Sequence, residues 1–80
     1  MLTELKNSKK AVGLKQSRKA IKNGCAKRVY LAANADELIC APVAELCKEL
    51  NVEVFTAETM EELGQACGIN VGAAVAVLLK

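Results

Sequence analysis

Four short runs of strand character, Lys10–Val12, Lys27–Ala33, Val52–Thr56 and Ala73–Leu79, alternate along the chain with four stretches of helical character. This alternation limits the fold more than any other feature, because strands that each follow a helix are paired most economically in one sheet with helices on both faces. The chain has only 80 residues, and a domain of that size buries about 60–65% of the surface its unfolded chain exposes. One core must therefore take most of the apolar positions, and the expectation is a single domain over residues 1–80 without room for a deep buried active site.

Local signals fix the order of elements. Leu2–Ser8 is expected as a first short helix, and Lys10–Val12 as an extended segment ending at Gly13. From Leu14 to Asn23, a helix wheel at about 100° per residue gathers Lys15, Arg18, Lys19 and Lys22 in one sector. Leu14, Ser17 and Ile21 fall opposite, Gln16 lies at the boundary, and Gly24 supplies a left-handed stop. Asn34, Ala35 and Asp36 precede a helix over Asp36–Leu50, in which Leu38, Ile39, Val43, Leu46, Cys47 and Leu50 recur at helical spacing. Pro42 predicts a kink or a fresh helix start near Ala41, since it removes an interior N–H. Thr59 and Glu62 form a capping box for a helix that runs to about Cys67 and stops at Gly68; Ile69–Gly72 then forms a loop.

Charge is distributed unevenly. Met1–Arg28 carries nine lysines and arginines against Glu4 alone, a net +8, whereas Val29–Lys80 carries two basic and eight acidic residues, a net −6. Such a division marks a polyanion-binding face backed by an acidic one, with a merely solvated basic helix as the plain alternative. With Tyr30 and Phe55 as the only aromatics, base stacking on aromatic platforms is nearly excluded. There is no histidine, no Gly-rich phosphate loop and no visible nucleophile with its base, so the chain is not expected to be an enzyme and no cofactor is implied. Cys25, Cys40, Cys47 and Cys67 include no CxxC pair and suggest no zinc cluster. They can be read as two disulfides or as four reduced thiols; because Met1–Lys10 is polar and basic rather than a signal peptide, reduced thiols in a cytoplasmic protein are expected. No apolar run is long enough for a membrane span.

Two segments resemble known motifs. Gly13-Leu14-Lys15-Gln16-Ser17-Arg18-Lys19 is similar to the Gly-x-Asn-Glu-x-x-Lys signature of the kink-turn RNA-binding family of ribosomal proteins, and Leu63–Val71 resembles its second signature, the helix and loop before the last strand. That family includes archaeal and eukaryotic large-subunit ribosomal proteins, the core protein of box C/D guide particles and short bacterial members. The resemblance implies a three-layer α/β/α sandwich around a four-stranded mixed sheet. It also implies a partner: RNA with a kink-turn, such as ribosomal RNA, a riboswitch or another structured RNA, met on the ribosome or elsewhere by a protein that is monomeric when free.

By position, the resemblance assigns Gly13 to close backbone approach, Lys15 and Gln16 to the guanine edges of tandem sheared G·A pairs, and Lys19 to support and phosphate contact. Arg18 and Lys22 extend the phosphate-binding face. Asp36, or a neighbour in 34–36, would bond the base flipped out at the kink, and Ile69, Asn70 and Val71 would cover it. The apolar pair Ile69 and Val71 could instead tuck into the core. The usual Asn-Glu is Lys15-Gln16 here, which alters the donor and acceptor set but keeps one amide. A different function on the same fold, a protein-interaction adaptor, would use the acidic surface of Glu45–Glu62; the basic N-terminal third distinguishes the two.

Overall fold

The computed structural model describes residues 3–80. Eight elements follow in the order expected: α1 (Thr3–Lys6), β1 (Lys10–Val12), α2 (Leu14–Lys22), β2 (Ala26–Ala32), α3 (Glu37–Glu49), β3 (Glu53–Ala57), α4 (Met60–Ala66) and β4 (Val75–Leu79). Of the expected Leu2–Ser8 helix, Thr3–Lys6 is helical, and Leu2 lies outside the described residues. The strands form one sheet in the order β1-β4-β2-β3. β2 and β3 are parallel, whereas β4 runs antiparallel to both β1 and β2, so the sheet is mixed. Lys27 forms a bulge where the β2–β4 register shifts between Ala26 and Arg28.

Period-two alternation divides the core between the two sheet faces. Tyr30 and Ala32 of β2 and Ala76 and Leu78 of β4 join Leu5 of α1 and Leu63 and Cys67 of α4 in one cluster. Their neighbours Val29, Leu31, Val75 and Val77 pack on the other face with Ile21 of α2 and Val43 and Cys47 of α3. The result is the α/β/α sandwich that the resemblance implied. All four cysteines are free thiols; Cys47 and Cys67 are buried, Cys40 half-buried and Cys25 exposed.

Pro42 does not restart the helix, since α3 runs unbroken from Glu37 to Glu49. The i−4 carbonyl that loses its partner belongs to Leu38, and both Leu38 and Pro42 are exposed, so water can take the place of the missing N–H. Burial in α3 centres on Val43 and Cys47, one turn apart. Leu38 (84% exposed) and Leu50 (48%) fall outside that stripe, contrary to the apolar spacing. Leu14 likewise is 36% exposed, while Ser17 and Ile21 are buried as expected.

Candidate nucleic-acid interface

One end of the sheet collects the segments singled out in the sequence. β1 ends at Val12 and the next residue, Gly13, donates its N–H to the Val75 carbonyl at the start of β4 (3.0 Å). At the end of β2, Ala32 donates to Ala74 (2.9 Å) and Ala33 to Ala57 at the end of β3 (2.7 Å). The α2 N-terminus, the 33–36 loop, the β3–α4 turn and the 67–74 loop therefore share this end. The mixed topology is the cause, because β1, β2 and β3 finish where β4 begins.

Gly13 stands at φ 95°, ψ 160° as the N-cap of α2, in a region essentially reserved for glycine. No side chain caps this helix, and no acidic residue lies in its first turn. Its first intrahelical bond runs from the Ser17 N–H to the Gly13 carbonyl (3.0 Å), which leaves the N–H groups of Leu14, Lys15 and Gln16 without helical acceptors. The other long helices are capped: Asp36 accepts from the Leu38 N–H (2.9 Å) and Thr59 from the Glu62 N–H (3.0 Å). An open helix N-terminus with lysines beside it favours an anion.

Lys15, Arg18, Lys19 and Lys22 are exposed and line one shallow depression of about 370 Å³ together with Asn23. Gln16 does not line it. It lies on the adjoining flank of α2, toward β1, where it lines a second depression with Lys19 and Asn23. The boundary position read from the helix wheel thus becomes a division of the exposed surface of α2 into a cationic flank and an amide-bearing flank, bridged by Lys19 and Asn23.

The 69–72 segment splits in two. Ile69 is half-buried against the core, whereas Asn70 is exposed and Val71 is 70% exposed. So the tucked-in alternative holds for Ile69, and Val71 is presented to solvent. With Glu61, Gln65 and Gly72 these three residues surround a depression of about 250 Å³. The loop is held by bonds from Ile69 N–H to the Gly64 carbonyl (3.0 Å) and from Ala73 N–H to the Met60 carbonyl (2.9 Å). Asp36 is exposed at the same end, with one carboxylate oxygen engaged in its cap.

Asn34, two residues earlier, is tied down, its side-chain carbonyl accepting from the Met60 N–H at 2.8 Å. Gly64 lies within the second motif segment, and its packing role is visible only in the fold. It is buried in α4 with the Val71 carbonyl against its Cα, so that any Cβ there would overlap that oxygen. A glycine inside a helix pattern signals close backbone approach in general, but only the fold shows what approaches. Asn23, the C-cap of α2, adds an amide that lines both depressions.

Burial pushes the Cys47 and Cys67 thiols above their ordinary value, with Lys10 acting in the lowering direction on Cys67. Cys40 is raised by burial first and then by Asp36 and Glu37. All three shifts disfavour the thiolate, the reactive form. Among the described residues, no group of three or more histidine, cysteine or acidic side chains could hold a metal ion. No helix there is long and apolar enough to cross a membrane.

The layered sheet, with an uncapped basic helix and the Val71 loop at one end, defines a small α/β/α domain. Residues 2–80 match the model of the ribosomal protein L7Ae/L30e/S12e/Gadd45 family, and the chain belongs to that family. It is 43% identical over 68 residues to an RNA-binding protein of Caldanaerobacter subterraneus, covering 85% of this chain and 83% of that one. It is 40% identical over 76 residues to the RNA-binding protein YbxF of Geobacillus stearothermophilus, covering 95% and 93%. Among solved structures, the 15.5kD RNA binding protein of Giardia lamblia superposes with a TM-score of 0.92 at 26% identity, covering 99% of this chain and 70% of that one.

Proposed function

We propose that the chain acts, over residues 1–80, as a single non-enzymatic RNA-binding domain that recognises and stabilises kink-turns. The observation that carries this reading is the shared end of the sheet, where the open α2 N-terminus and the Val71 loop meet through the Gly13–Val75 hydrogen bond. The relatives named above, both called RNA-binding proteins, support the RNA part of it.

Ordinary A-form RNA hides its base edges in a deep, narrow groove, so a protein that reads sequence needs a distorted region. A kink-turn widens that groove at tandem sheared G·A pairs. Gly13, lacking a side chain, lets the α2 backbone approach, and Lys15 and Gln16 reach the guanine edges. Arg18, Lys19 and Lys22 neutralise the phosphates crowded together by the bend, releasing counterions. Asp36, through its uncommitted oxygen, and the exposed Asn70 and Val71, backed by Ile69, receive the extruded base. The domain works as a monomer in the cytoplasm, on ribosomal RNA or another structured RNA.

The test uses a short RNA duplex with a three-nucleotide bulge followed by tandem G·A pairs, labelled at both ends for energy transfer. Binding is expected to drive it into the sharply bent form. Equal affinity for an unbulged duplex of the same length at moderate salt would refute the proposal.

A further inference from the structure

Beside the face of α2 just described runs a groove of about 450 Å³ with no acidic residue in its lining. One wall is α2, with Gln16, Lys19, Ala20 and Asn23; the other is β1, an edge strand of the sheet. Ala11 and Leu79 also line it, as does Cys25 beyond the C-terminal end of α2. Because Gly13 N–H bonds Val75 and Leu79 N–H bonds the Lys9 carbonyl, the odd-numbered residues of β1 turn their main-chain groups toward β4. Those of Lys10 and Val12 point out from the sheet edge.

We infer that this groove is a second RNA subsite, taking the sugar–phosphate strand that continues from the kinked junction into the adjoining stem. It rests on the kink-turn reading, since Gln16 and Lys19 belong to both surfaces. From Gln16 to Asn23 is seven residues, about 10.5 Å along the helix, the axial length of about three nucleotides of one strand. Lys19 lies midway as a cation for those phosphates, and Lys10 lines the groove from β1. The Asn23 amide and the outward N–H groups of Lys10 and Val12 are neutral donors that suit phosphate oxygens. Ala11, Ala20 and Leu79 give an apolar floor for the sugars. An acidic polypeptide adding to β1 would find only two outward-facing residues on a three-residue strand, and it would gain nothing from Gln16 or from continuity with the basic face.

Cys25 makes a native reporter, being the only exposed thiol among the four cysteines. In a Cys40→Ala background, saturating kink-turn RNA is expected to slow alkylation of Cys25 by iodoacetamide about tenfold. An RNA with methylphosphonates at about three successive linkages beyond the G·A pairs, placed on each strand in turn, is expected to lose affinity when the modified strand is the one in the groove. Asn23→Glu should weaken the unmodified RNA about tenfold and the matching methylphosphonate RNA hardly at all. Cys25 fully reactive in a saturated complex, or Asn23→Glu weakening both RNAs alike, would overturn the groove assignment while leaving kink-turn binding intact. Failure to prefer the kinked RNA over a plain duplex would instead remove the reading on which it rests.

Discussion

Gly64→Ala sets two known effects against each other. In an exposed helix interior, alanine would stabilise by about 1 kcal/mol relative to glycine. Gly64 is buried, however, and its new Cβ would overlap the Val71 carbonyl oxygen and sit 3.1 Å from the Val71 carbonyl carbon and 3.2 Å from the Gly72 Cα. These are main-chain atoms, so no rotamer change relieves the overlap; the loop itself must retreat on the order of 1 Å to restore ordinary van der Waals contact. Two bonds resist that movement, Ile69 N–H to the Gly64 carbonyl and Ala73 N–H to the Met60 carbonyl. Overpacking costs about 1–3 kcal/mol, and loosening one hydrogen bond adds about 1 kcal/mol. Against a gain of about 1 kcal/mol from propensity, the net expectation is destabilisation by about 1–3 kcal/mol. Urea unfolding reads it as a lower midpoint at unchanged slope, with exposed Gln65→Ala as a control for the helix. Because the displaced segment carries Val71, RNA affinity should fall as well. A Gly64→Ala variant as stable as the wild type, or more so, would show that the loop does not press on α4 as described.

The remaining expectations concern the site, the thiols and one buried hydroxyl. Gln16→Ala should cost about 1–3 kcal/mol on RNA with intact G·A pairs and little on RNA with those pairs disrupted, whereas Lys22→Ala should weaken both equally and reduce the salt slope by about one; titrations on the two RNAs separate them. Cys47 and Cys67 have thiol pKa values raised by burial above an ordinary value near 9.0, so the stability they contribute is full below pH 9 and is lost as pH rises through their folded values. Thermal melts between pH 8 and about pH 11 should therefore show a smaller decline in a Cys47→Ala, Cys67→Ala variant than in the wild type, and identical declines would contradict the assignment. The Ser17 hydroxyl is buried without a hydrogen-bond partner among the described residues, so Ser17→Ala should be neutral or stabilising by about 1 kcal/mol; a loss above about 1 kcal/mol would mean that the hydroxyl has a partner.

What the sequence determined by itself was set by neighbours within a turn or two. Helix and strand order, the Gly24 and Gly68 stops, the Thr59 cap and the basic sector of α2 depend on dihedral preferences and periodicity, and all of them appear in the structure. The motif segments were legible because their residue types stand at fixed offsets within single elements. Contacts between segments distant in the chain were decided only by the tertiary structure. Pro42 sits inside an unbroken helix because its face meets solvent, and Leu38 is exposed because the α3 stripe is centred on Val43 and Cys47. Nor could spacing show that Gln16 turns toward β1, that Val71 stays outside while Ile69 packs inward, or that Gly64 is glycine for the sake of a carbonyl seven residues away. Periodicity reports which side of an element is apolar, but what covers that side, and how closely, depends on sheet order and on the approach of loops from elsewhere in the chain.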